Sequence, residues 1–133
     1  MNWYKITQST AKKVSFDFDG TIFKNEWLPE ENDYKRDEQG NMTGIINPII
    51  KSLMQKYTAD GWSVYIVTSR MEKFKNEVEK VVEENSLPVL DIYCTNGQYK
   101  AQILSDLNIQ VHYDDDEREV EKIKEVGIRA YLI

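Results

Sequence analysis

Short runs of β-branched and aromatic residues alternate with helix-period segments along most of this chain, and that alternation leaves few folds open. Val14, Phe16 and Phe18 alternate with Ser15, Asp17 and Asp19, the period-two pattern of a strand, here ending in carboxylates. Asn47-Pro48 has the form of a helix start, with Asn as cap and Pro in the first position. Ile49, Ile50, Leu53, Met54 and Tyr57 follow at helical spacing, and Gly61 closes the segment. Residues 62–67 read as a second strand. Ser69 and Glu72 then stand at capping-box spacing, and Met71, Phe74, Val78, Val81 and Val82 make one apolar helix face. Residues 87–94 hold a third strand, and Ile103, Leu104 and Leu107 mark a short helix after Lys100. A fourth strand covers 109–113; Asp116 and Glu119 repeat the cap spacing before Val120, Ile123 and Val126; a last strand covers 128–133.

This order predicts an α/β fold: a three-layer, Rossmann-like parallel sheet of five strands with helices on both faces. The length of 133 residues suits a single domain spanning 1–133. Right-handed crossovers gather the carboxyl ends of the strands on one edge, where ligands of such sheets bind. Residues 20–46 break the rhythm: they carry no helical pattern and are long for a plain connection. Gln39-Gly40-Asn41 predicts a hairpin turn there, and the segment reads as a small flap or minimal cap. Three basic residues (Lys24, Lys35, Arg36) against six acidic ones give it a net charge of −3, which also suits a solvated surface hairpin.

Composition removes several function classes. The net charge of −6 supplies no long-range attraction to nucleic acid or to anionic membrane, although a local basic pocket stays possible. No window has the ~18 unbroken apolar residues of a membrane span. The opening MNWYKITQSTAKK lacks the apolar stretch of a secretory signal, and the lone Cys94 suits a reducing compartment, so the expected location is cytoplasmic. One cysteine and one histidine, His112, leave no ordinary zinc site. His112 and Cys94 read as packed core residues, and Trp3 and Tyr4 as packing on the domain or on a partner.

The chemistry collects at the predicted strand ends. Asp17 and Asp19 follow the first strand, Thr68, Ser69 and Arg70 the second, and Asp114, Asp115 and Asp116 the fourth; Lys100 precedes the third helix. Crowded carboxylates resist joint ionisation, and a hard divalent cation with oxygen ligands relieves that cost. Mg²⁺ is thus the expected cofactor, and it would let an anionic carboxylate approach an anionic phosphate. A hydroxyl, a lysine and the amides of a helix starting near Ser69 can hold the remaining phosphate oxygens. Asp17 and Asp19, two apart on an extended strand, would face the same way, one attacking phosphorus while the other handles protons. Gly20 permits a sharp exit of the backbone. Asp116 reads as a helix cap, leaving the metal to its two predecessors.

Asp17-Phe18-Asp19-Gly20-Thr21, Thr68, Lys100 and Asp114-Asp115 appear in the order of the four motifs of the haloacid dehalogenase (HAD) superfamily, and the chain resembles it over nearly its whole length. The resemblance implies a phosphoric monoester hydrolase with Asp17 as nucleophile and Asp19 as acid and base. It implies Mg²⁺ held by the Asp17 carboxylate, the Asp19 carbonyl and one of Asp114 or Asp115, and phosphate held by Thr68 and Lys100; Ser69, next to Thr68 after the second strand, is a further candidate for the phosphate as well as for the helix cap. Residues 46–53, 64–70 and 114–128 are similar in spacing to the phosphatase domain of phage-type polynucleotide kinase/phosphatases, whose phosphate-contacting arginine matches Arg70. The chain departs from that group in lacking a P-loop and a clear basic residue soon after DFDGT, where Lys24 or Arg36 would have to substitute. The implied substrate is a 3′-phosphate end of nucleic acid, or alternatively a nucleotide or other small phosphoester; no obligate protein partner is implied. Readings of another class are a phospho-receiver and a non-catalytic HAD-like binding module. In a receiver the phosphorylated Asp follows the third strand, where this chain has Cys94-Thr95-Asn96.

Overall fold

The computed structural model describes residues 12–133, so Trp3 and Tyr4 lie outside the described residues. Five strands form the central sheet: β1 (Lys13–Phe16), β6 (Ser63–Thr68), β7 (Asp91–Cys94), β8 (Val111–Asp114) and β9 (Arg129–Leu132). They lie in the order β7-β6-β1-β8-β9, and every pairing is parallel. The chain runs outward from β1 through β6 to β7, then returns to the other side of β1 for β8 and β9. The reversal leaves a crevice beyond the ends of β1 and β8, the switch point where sheets of this kind bind ligands.

The alternation in β6 shows how both faces are covered. Val64 and Ile66 join a core with Val14, Phe16, Ile50, Met54 and Val78, under α1 (Pro48–Ala59) and α2 (Lys75–Glu84). Val67 and Tyr65 point the other way, toward Leu104, Val120 and Ile123 of α3 (Ala101–Asp106) and α4 (Glu117–Glu125). Full burial of each such side chain contributes roughly 1.5–3 kcal/mol. The three layers are those expected from the sequence.

Local chemistry sets the ends of the elements. Asn47 caps α1, its Oδ1 accepting from the amides of Ile49 (3.1 Å) and Ile50 (3.5 Å). Asp116 caps α4 through the Arg118 amide (2.9 Å). Two expectations need correction, the Ser69 cap and Cys94. Ser69 caps nothing: a single 3₁₀ turn (Glu72–Phe74) precedes α2, and the Glu72 amide is taken by Asn96 Oδ1 (2.8 Å), from the loop after β7. The third strand, Asp91–Cys94, lies within the expected range 87–94, with the Pro88 region as a connector before it. Cys94 is half-buried rather than a core residue.

The flap is built of nested hairpins. β2 (Phe23–Asn25) pairs antiparallel with β5 (Gly44–Ile46), and β3 (Trp27–Leu28) with β4 (Asp33–Tyr34). An Arg36–Met42 bridge closes the expected turn around Gly40. The flap is more than a solvated hairpin, since Arg36 joins it to α2. The guanidinium donates to Glu77 from Nη1 (2.6 Å) and Nη2 (3.2 Å), and to Asp33 from Nε (2.8 Å).

Candidate active site

A cavity of about 680 Å³ opens at the crevice, lined among others by Asp17, Asp19, Tyr34, Ser69, Lys100, Asp114 and Asp115. Residues separated by nearly a hundred positions therefore share one space. The topology does this: β1 delivers Asp17, β8 delivers Asp114 and Asp115, and the start of α3 delivers Lys100 from the second face.

Lys100 is the centre of charge. Its side chain is 2 % exposed, and Nζ donates to Asp17 Oδ1 (2.8 Å) and Asp114 Oδ2 (2.6 Å). Glu119 Oε2 lies 3.8 Å from Nζ, and Glu119 Oε1 accepts from the Lys100 amide (3.3 Å). Burial works against the ammonium, yet Asp17 and Asp114 hold its pKa above the ordinary lysine value. Burial pushes the Asp17 carboxyl well above the usual carboxylate range; Lys100 pulls it back, and Asp114 and Asp115 push it further. Burial would also raise Asp114, but the His112 hydrogen bond and the Lys100 charge outweigh it and hold Asp114 low.

Behind Asp114 runs a polar line that sequence reasoning missed. His112 is fully buried; its Nε2 lies 2.8 Å from Asp114 Oδ2 and its Nδ1 2.6 Å from Ser15 Oγ. Burial lowers the His112 pKa, which favours the neutral ring, with Nε2–H donating to Asp114 and Ser15 donating to Nδ1. Ser15 and His112 are register partners on β1 and β8, and strand alternation turns both to the α3–α4 face. The available signal was a polar residue on the same face of each of two adjacent strands.

The pairing of Asp17 and Asp19 needs a different reason from the one expected. β1 ends at Phe16, so the two are not on one strand. Phe18 is buried against Phe23 (ring centroids 5.5 Å apart), its carbonyl accepts the amides of Ile22 and Phe23, and Asp19 rides on the resulting turn. Gly20 leaves this turn at φ +82°, and a Cβ there would run into the Asp115 carboxylate. Glycine is thus required twice, for its conformation and for the close approach of Asp115.

Asp19 is held by partners from two directions. Arg70 Nε donates to Oδ2 and Nη2 to Oδ1, both at 2.8 Å, and Asn25 Nδ2 of the flap donates to Oδ1 (2.7 Å). The Arg70 guanidinium lies over the rings of Tyr34 (5.2 Å) and Phe18 (5.5 Å). Arg70 is thus within the site, but spent on Asp19. Thr68 ends β6 with its side chain buried behind the cavity wall, its Oγ1 accepting from the Arg70 amide (3.3 Å). Ser69 is exposed on the cavity, and the helix expected to start beside it begins several residues later. Neither Lys24 nor Arg36 lines this cavity.

One oxygen from each of Asp17, Asp114 and Asp115 can be chosen so that all three lie within 4.8 Å of one another. Three hard oxygen donors with a net negative balance fit Mg²⁺ better than a thiol- or imidazole-seeking metal. No helix of the described residues is long and apolar enough to cross a membrane.

No family model matches the chain. It is 28 % identical over 121 residues to an uncharacterized protein of Acanthamoeba polyphaga mimivirus, covering 83 % of this chain and 23 % of that one. It is 24 % identical to the class B acid phosphatase of Salmonella typhi, covering 96 % of this chain and 65 % of that one. The chain therefore spans less than two thirds of the length of these relatives. Among solved structures, a chain of the Pnkp1/Rnl/Hen1 RNA repair complex superposes with a TM-score of 0.71 at 16 % identity, over 94 % of this chain and 43 % of that one. A HAD family enzyme of Bacteroides thetaiotaomicron, solved with magnesium and inorganic phosphate, superposes with a TM-score of 0.60 at 12 % identity, over 92 % and 93 % of the two chains. The sheet order and these likenesses agree on the fold, which this chain shares with HAD family enzymes.

Proposed function

We propose that this chain is a magnesium-dependent phosphomonoester hydrolase that works through an aspartyl-phosphate on Asp17. The observation that carries the proposal is the convergence of Asp17, Asp114 and Asp115 at ligand distance around one cavity, with Lys100 buried between two of them. Bound Mg²⁺, held by Asp17, the Asp19 carbonyl and one or both of Asp114 and Asp115, would offset the repulsion between carboxylate and phosphate.

The chain's own groups supply the rest. An Asp17 oxygen forms the new bond to phosphorus as the bond to the leaving oxygen breaks, and Asp19 gives its proton to that oxygen. Asp19 then takes a proton from water, whose oxygen attacks phosphorus and releases Asp17 and inorganic phosphate. Lys100 and Ser69, which line the cavity, serve the non-bridging oxygens, and the buried Thr68 hydroxyl holds the Arg70 amide beside them. Arg70 serves them by exchange: a phosphate oxygen competing for its guanidinium frees Asp19 to carry a proton.

Turnover of p-nitrophenyl phosphate should require Mg²⁺ and vanish in Asp17→Asn. Undiminished turnover in that variant would remove Asp17 as nucleophile. Two substrate classes have support. The likeness to a chain of an RNA repair complex favours a 3′-phosphorylated nucleic-acid end. The acidity of the flap favours a small ester.

A further inference from the structure

A second cleft, of about 840 Å³, adjoins the catalytic cavity and shares Asp19, Tyr34, Ser69, Asp116 and Arg118 with it. Its character is different. Trp27 of the flap is 47 % exposed there, and Met71 and Phe74, from the turn before α2, are 46 % and 40 % exposed. Large apolar side chains left in water beside a catalytic centre mark a surface that a ligand covers.

The position of Asp19 says which part of a substrate reaches this surface. Asp19 lines both spaces and is the group proposed to protonate the leaving oxygen, so the body of the leaving group extends to the Asp19 side. That side is the Trp27–Phe74 cleft and not the wall of Lys100 and Glu119. Charge narrows the class further. Of the cations lining the cleft, Arg70 is paired with Asp19 and Arg36 with Asp33 and Glu77, while Arg118 meets Asp116 at 3.5 Å with its side chain 79 % exposed and stays open to an anion. Glu31 lines the cleft with no ion pair among the described residues. One open cation, Arg118, can meet a single anionic group but not a run of backbone phosphates, whereas aromatic side chains stack on any flat base.

From this we infer that the cleft formed by Trp27, Met71 and Phe74 is a leaving-group subsite for an aromatic ring, and that the substrate is a mononucleotide with a single phosphate rather than a polynucleotide end. The inference rests on the hydrolase reading above, and deepens it by naming the substrate class.

The test uses a pair of esters that differ only in the base: adenosine 5′-monophosphate and ribose 5-phosphate. The wild-type kcat/KM should favour the nucleotide by roughly tenfold or more, the usual scale of one base–aromatic stack. Trp27→Ala should erase most of that preference, lowering kcat/KM for the nucleotide several-fold more than for ribose 5-phosphate, Phe74→Ala should act in the same sense from a separate element, and Trp27→Phe should restore it. Equal rates on the two esters, or equal losses on both in Trp27→Ala, would overturn the subsite. So would a 3′-phosphorylated oligonucleotide turned over tenfold faster than the mononucleotide. Adenosine, a ring with no phosphate, reads the cleft without turnover: calorimetry should detect its binding to wild type and its loss in Trp27→Ala. Binding of adenosine with no hydrolysis of any ester would sink the catalytic reading and keep the subsite; no binding would sink the subsite alone.

Discussion

Replacing Lys100 by Met tests the charge balance at the centre of the molecule. Asp17, Asp114 and Glu119 surround one ammonium at 2.8, 2.6 and 3.8 Å, all with side chains under 10 % exposed. Met keeps roughly the length of the side chain and removes the charge, so three nearly dry carboxyl groups are left facing one another. Removing one partner of a buried ion pair costs about 3–5 kcal/mol. Single domains unfold at about 5–15 kcal/mol, so the loss takes about a fifth of the total or more. At about 3 °C per kcal/mol for a chain of this size, the midpoint should fall by roughly 10–15 °C. In magnesium-free buffer, with tryptophan fluorescence as the signal, thermal unfolding measures the midpoint and urea unfolding the free energy. Two internal controls follow. Asp17→Asn in the same background removes the charge that Lys100 neutralises, so the two changes should couple by about 2 kcal/mol in a double-mutant cycle. Mg²⁺ should stabilise Lys100→Met more than wild type, because the cation takes over the missing neutralisation. A variant within about 1 kcal/mol of wild type without Mg²⁺, or additive changes in the cycle, would show that Lys100 does not hold these carboxylates together.

Other expectations follow from single contacts. His112→Leu leaves Asp114 without its Nε2 donor and should weaken Mg²⁺ binding by about 10- to 100-fold, with partial recovery in His112→Gln; titration calorimetry reads both. Because burial lowers the His112 pKa below its unfolded value near 6.5, its stabilising contribution is present above that pH and is lost as pH falls. The stability gap between wild type and His112→Gln should therefore narrow from pH 7.5 to about 5.5. Gly20→Ala meets both a left-handed φ and the Asp115 carboxylate, and should lose about 1–3 kcal/mol together with Mg²⁺ affinity. Asn47→Ala removes the α1 cap and should cost about 1 kcal/mol with KM unchanged, which separates helix capping from chemistry.

The identities of the acidic groups and the layer order were legible in the sequence because both are local. Period-two and helical spacings are set by the geometry of neighbouring residues, so the strand–helix alternation and the Asn47 and Asp116 caps follow from the chain alone. The same holds for the acids at the strand ends, since the fold class places all such ends on one edge. The Ser69 cap failed because the competing donor–acceptor pair came from Asn96, which no local pattern brings to Glu72.

What only the tertiary structure decided is how the charges are paired. Arg70 meets Asp19 across 51 residues, Lys100 meets Asp17 across 83, and Ser15 meets His112 across 97. Flap and helix are joined by Arg36 and Glu77, 41 positions apart. Buried charges are stable only beside their partners, and the partners are chosen by sheet order and crossover, which no short window contains. The sequence determined which reactive groups reach the edge of the sheet; packing decided which of them are already engaged and which face the open cleft.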